Sequence, residues 1–172
     1  MEELRPDKKW EWHVDTYKRD WYMNKCDILN QELLTNNGFV YRKRGWYRCT
    51  EDFLQIINFQ KSNWGNQYYI NIGENCLSRL NAGSIIYPPE RLFHLRGRVE
   101  DLGIPEETLD CMDFENSILE NERKNKMTSI ISECIAFLDR IRTKEGLKLE
   151  YYNSDILKSF AMYSTILSII KQ

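Results

Sequence analysis

The side chains in this 172-residue chain best suited to metal ligation or nucleophilic attack are two histidines, His13 and His94, and five cysteines, Cys26, Cys49, Cys76, Cys111 and Cys134. A bound zinc needs ligands gathered in closely spaced sets. These residues are dispersed, so no metal is expected. An odd, scattered set of cysteines also argues against a disulfide framework, and fits buried, reduced thiols in a cytoplasmic protein. A Cys–His pair brought together by the fold stays open. Nucleophile elbows, Walker loops and dinucleotide fingerprints are absent. The chain therefore reads as non-enzymatic, with no catalytic residue and no cofactor.

Three other residue sets are suited to recognition. Asn58, Gln60, Tyr69 and Asn71 form a group of amides with a phenol. Amides donate and accept at once without net charge, which suits contact with a backbone or a base edge rather than proton transfer. Arg42 and Arg44, beside Trp46 and Tyr47, combine cations with candidate stacking rings. Between residues 100 and 122 lie nine acids and no lysine or arginine, with Glu106, Glu107 and Asp110 at its centre. The acidic run would dock a basic protein such as a nuclease, because opposed charge speeds association and selects partners. The basic and amide set would face phosphates or another ligand. These readings predict opposite partners, and each competes with plain solvated surface.

The elements that must hold these residues follow from periodicity. Residues 53–61 and 66–73 are dense in Ile, Phe and Tyr and read as an antiparallel hairpin turning at Asn63-Trp64-Gly65. Pairing Lys61 with Asn66 places Phe59 opposite Tyr68, Ile57 opposite Ile70 and Gln55 opposite Ile72 on an apolar face. Gln60, Asn58 and Ile56 then lie with Gln67, Tyr69 and Asn71 on the other face. Residues 39–43 and 46–49 predict a shorter hairpin, and 93–99 a further strand with Arg96 and Arg98 on one side. Tyr22, Cys26, Leu29 and Leu33 give a helical stripe over 15–35, ended by Asn36-Asn37-Gly38. Residues 75–84 read as a loop and 106–116 as a helix opened by Pro105. Met127, Ile130, Ile131, Cys134, Leu138 and Ile141 mark a helix over 126–142, stopped at 143–146. Ile156, Phe160, Tyr163, Leu167 and Ile170 mark a last one.

The expected class is therefore α+β. An antiparallel sheet of four to five strands has helices packed on one face, with a helical C-terminal part. One domain covers 1–172: an arm at 1–14, a helix at 15–35, the sheet within 39–99 and helices over 104–172. A net charge of −2 argues against a general polyanion binder but allows a local basic patch. The charged N-terminus reads as no signal peptide. Lys158 and several serines interrupt the apolar run at 156–170, so no membrane contact is expected.

The string Gly38-Phe39, then Arg42 to Arg48, then Ile57-Asn58-Phe59-Gln60-Lys61-Ser62, then Tyr69-Ile70-Asn71-Ile72-Gly73 resembles the bacterial family catalogued as domain of unknown function 4304. Arg96 and Arg98 fall where that family tends to carry a basic strand. The resemblance spans about residues 26–143. It implies an α+β fold and a bacterial or phage setting, and no established activity. By association with toxin genes it implies an immunity-type inhibitor, which makes a toxin the expected protein partner.

Overall fold

The structure, a computed structural model, describes residues 23–77, 87–160 and 163–171. The arm at 1–14 and the start of the first helix lie outside the described residues. Helix α1 (Lys25–Asn36) opens on a capping box in which Asn24 and Asp27 satisfy each other's backbone N–H groups. It ends at Asn37, and Gly38 takes φ +82°, the left-handed conformation expected of it.

Five strands then follow: β1 (Val40–Arg42), β2 (Gly45–Cys49), β3 (Phe53–Lys61), β4 (Tyr68–Cys76) and β5 (Leu95–Arg98). They pair in chain order, each antiparallel to the next. The β3–β4 register differs from the expected one by two residues. Lys61 faces Tyr68, Ile57 faces Ile72 and Asn58 faces Asn71. The loop is longer because Ser62 N–H closes it on the Gln67 carbonyl at 2.8 Å, and Gln67 pairs with Asp113 instead of Gln60. A slip by an even number keeps every side chain on its face, so the apolar and amide faces survive. Strand β4 also continues past Gly73 through Glu74 into Asn75 and Cys76, the last two of which were expected in a loop. Gln55 donates to one oxygen of Glu74, and Asn75 Oδ1 accepts from His94 N–H at 2.7 Å.

Helix α2 (Glu106–Leu109) is a single turn, not a helix to 116, and is followed by a 3₁₀ turn at Asp110–Met112. The buried guanidinium of Arg123 explains this. It donates to the carbonyls of Cys111, Asp113 (2.9 Å) and Asn116 (2.8 Å) and so holds the segment open, whereas a helix to 116 would itself have used only the first of the three. Helix α3 (Glu120–Arg140) buries all the helical positions expected of it, and Ile141 just after its end is buried too. The 143–146 segment ends α3 and starts α4 (Lys144–Asn153), because Thr143 Oγ1 accepts from Gly146 N–H at 3.1 Å and caps it. The last helix is two pieces, α5 (Ile156–Ser159) and α6 (Tyr163–Ile170). Of the expected stripe Phe160 is buried and Ile156 and Ile170 are partly buried against the core, and among the described residues Leu157, Ile166 and Ile169 are buried beside them.

One core joins α1, α3 and the C-terminal helices to the sheet face carrying Tyr41, Trp46, Phe53, Ile57, Phe59, Ile70 and Ile72. On the opposite face a smaller cluster of Tyr47, Leu54, Ile56 and Phe93, with Tyr87, covers one half of the sheet. Among the described residues no helix is long and apolar enough to cross a membrane.

Candidate binding surface

The half of the second face left open carries the amide set. Asn58 lies directly opposite Asn71, and Gln60 opposite Tyr69. Asn71 Nδ2 donates to Gln60 Oε1 at 3.1 Å and to Asn58 Oδ1 at 3.3 Å. Asn58 Nδ2 donates to the Arg44 carbonyl at 2.7 Å. A hydrogen-bonded ridge thus crosses β3 and β4 and ends on the β1–β2 turn. Gln60 and Arg44 are exposed and Asn58 and Tyr69 half-buried, but Asn71 is only 4% exposed. Asn71 therefore orients its neighbours from beneath instead of presenting its own amide.

Arginines stand at both ends of the ridge. Lys43 and Arg44 form the β1–β2 turn with φ of 45° and 66°, a left-handed pair that non-glycine residues rarely adopt. At the other end, Arg98 pairs in register with Asn71 and its guanidinium lies 4.8 Å from the Tyr69 ring centroid. Arg96 projects from the same face of β5 and donates to the Arg91 carbonyl at 3.1 Å. Arg42 is half-buried, with Nη1 on its neighbour Tyr41's carbonyl.

Two expected stacking groups are not on this surface. Trp46 is 2% exposed on the helix-covered face, where its Nε1 donates to Asp27 Oδ1 at 2.9 Å. The reason is period two: Trp46 pairs with Ile57, a core position, not with Asn58. Tyr47 faces the correct side but is buried under Tyr87 and donates to the Pro88 carbonyl at 2.9 Å.

The acidic run is partly consumed by the fold. Asp110 pairs with Lys126 at 3.0 Å, Asp101 accepts from Arg98 N–H at 2.8 Å, and Glu115 accepts from Asn66 N–H at 3.2 Å. Glu106 and Glu107 remain exposed. Glu115, with the Phe114 N–H on the Asn66 carbonyl, fixes the base of the β3–β4 loop. At the loop's tip Trp64 is 96% exposed. The sequence held a signal for it, a tryptophan between turn residues with no strand position to fill.

Most of the groups able to do chemistry are held in other work, although the Cys49 thiol, expected to be buried, is exposed. Burial pushes the thiols of Cys26 and Cys134 well up and that of Cys111 up to about 11, so all three stay protonated near neutrality. His94 Nδ1 accepts from Cys76 N–H at 3.2 Å, which fastens the 87–94 segment to β4. His13 lies outside the described residues. Among the described residues, no three His, Cys, Asp or Glu side chains cluster to hold a metal ion.

This architecture defines an α+β protein with a meander sheet, backed by helices on one face and half open on the other. A family model described as Domain of unknown function (DUF4304) matches residues 30–161, about three quarters of the chain, and the chain belongs to that family. No curated protein and no solved structure matches it.

Proposed function

We propose that this is a non-enzymatic protein-binding module that docks its partner at the end of the sheet bearing Trp64. The observation that supports this is the 96% exposure of that indole on a loop whose base is held by Glu115 and Phe114. Tryptophan is enriched among residues that dominate binding energy, and a fixed loop loses little entropy when it docks. Arg44, Gln60 and Arg98 lie at the same end of the sheet and supply a polar rim. An immunity-type inhibitor occluding a toxin in the cytoplasm is the concrete form of such a module, supported by the family association and by five free cysteines. The acidic run is a weaker dock, because Lys126 already neutralises Asp110. Nucleic-acid binding by the sheet loses Trp46 and Tyr47 as stacking groups.

The test is retention of a stoichiometric partner from the source cells by the wild-type chain and by Trp64→Ala. The variant should fold with stability within about 0.5 kcal/mol of wild type, yet lose about 2 kcal/mol or more of binding. Equal retention by the two, or no stoichiometric partner, would remove the proposal. Loss of the partner in Glu106→Lys/Glu107→Lys alone would move the dock to the acidic surface. A salt-sensitive oligonucleotide shift would favour the nucleic-acid reading instead.

A further inference from the structure

We infer that the cleft beside the outer strand β5 binds one oxyanionic group, a carboxylate or a phosphate, between the guanidinium groups of Arg96 and Arg98. The inference does not depend on docking through Trp64. The cleft has a volume of about 300 Å³, and its lining includes Gln60, Asn71, Glu90, Arg96, Arg98 and Ser159. Arg96 and Arg98 occupy alternate positions of one strand and so project the same way, about 7 Å apart along the chain. Gly97 between them faces the other side, where the Phe160 ring fills its place: a Cβ there would sit 2.6 Å from the ring. Phe160 thus backs the strand that carries both cations.

Each arginine is positioned without being neutralised. Arg96 is held through one nitrogen by the Arg91 carbonyl, and Arg98 rests on Tyr69. Among the described residues neither forms an ion pair with a carboxylate. A guanidinium presents several donors in a planar fork that matches carboxylate and phosphate oxygens. Asn71 occupies Gln60 Oε1, and the described residues give the Gln60 NH₂ no acceptor, leaving an amide donor for the same anion.

Two acids share the lining. Asp101 is committed to the backbone N–H of Arg98. Asp101 keeps its negative charge in that bond and opposes an anion, as does Glu90. Glu90 is half-buried, and burial raises its carboxyl while the two arginines pull it back down. Removing its charge should therefore strengthen the site that removing either arginine weakens.

The test titrates the isotope-labelled full chain at low ionic strength with inorganic phosphate and, separately, with succinate, following arginine Nε–H and Gly97 amide signals by NMR. Saturable shifts at Arg96, Gly97 and Arg98 are expected, and the anion that produces them at lower concentration identifies the source. Arg96→Gln and Arg98→Gln should each weaken binding about tenfold. Glu90→Gln should tighten it, and Glu145→Gln, an exposed position on α4, should leave it unchanged. Arg96→Lys retains the charge without the fork and should fall between wild type and Arg96→Gln. The inference is overturned by the absence of saturable shifts with both anions. It is equally overturned by unaltered binding in Arg96→Gln, or by Glu145→Gln tightening as much as Glu90→Gln. Trp64→Ala should titrate like wild type. Partner retention without anion binding overturns this inference alone, and anion binding without a Trp64-dependent partner overturns the docking proposal alone.

Discussion

Trp46 Nε1 donates to Asp27 Oδ1 at 2.9 Å, and this bond joins the second strand to the first helix across the core. The same carboxylate accepts from Asn24 N–H at 2.9 Å and from Tyr41 Oη–H at 3.4 Å. Burial pushes Asp27 up to about 6, against the pull of those bonds. A carboxyl raised in the folded state contributes stability that is fully present below its unfolded value and lost as pH rises through about 6. Trp46→Phe should cost about 1–3 kcal/mol at pH 8, where the bond is to a charged oxygen. The cost should be smaller at pH 5, where Asp27 is protonated in the fold. Urea unfolding at the two pH values checks this; an equal cost at both would show that packing alone is at stake.

Glu74 gives a second pH-dependent prediction. It is fully buried, one oxygen accepts from Gln55, and among the described residues the other has no partner. Burial raises its carboxyl well above the ordinary value of 4.5, with Gln55 and Arg48 offsetting part of the effect. Stability should therefore fall as pH rises from that ordinary value through the raised one. Glu74→Gln preserves the shape and removes the charge. It should be more stable than wild type at pH 8 by about 1–3 kcal/mol and should show a flatter dependence of Tm on pH. Parallel Tm–pH curves would contradict this.

The turn at Lys43-Arg44 holds two non-glycine residues in left-handed conformation, at a cost on the order of 1 kcal/mol each. Lys43→Asn/Arg44→Gly supplies residues that such a turn prefers, and Asn58 retains its bond because the acceptor is backbone. The double variant should raise the urea midpoint. If the cations at this tip belong to the partner's footprint, the stabilised variant should also bind the partner less well. An unchanged or lowered midpoint would rule out turn strain as the reason.

Arg123 feeds three carbonyls of the 111–116 segment and lies 4.5 Å from the Phe114 ring centroid. Lysine keeps the charge but not the planar set of donors. Arg123→Lys should destabilise by about 2 kcal/mol and speed amide exchange most in 110–116. Uniform acceleration across the chain would mean that the contact is not local.

The sequence determined the parts whose signal is local periodicity. The branched and aromatic runs of β3 and β4 specified two strands, and an error of two in their register left both faces intact because side chains alternate. The spacing of Met127, Ile130, Ile131, Cys134 and Leu138 specified the face that α3 buries. Only the tertiary structure could decide features that depend on partners distant in the chain. The indole N–H of Trp46 is satisfied inside the core because the fold brings Asp27, nineteen residues earlier, against it as an acceptor. The 111–116 segment is held out of a helix by Arg123, which gathers the carbonyls of Cys111, Asp113 and Asn116 around one guanidinium. Arg96 and Arg98 become a site only once β5 lies beside β4 and Phe160 closes in behind Gly97. A local pattern chooses the face a side chain takes, whereas burial and hydrogen-bond satisfaction are settled by whichever remote groups the fold brings against it.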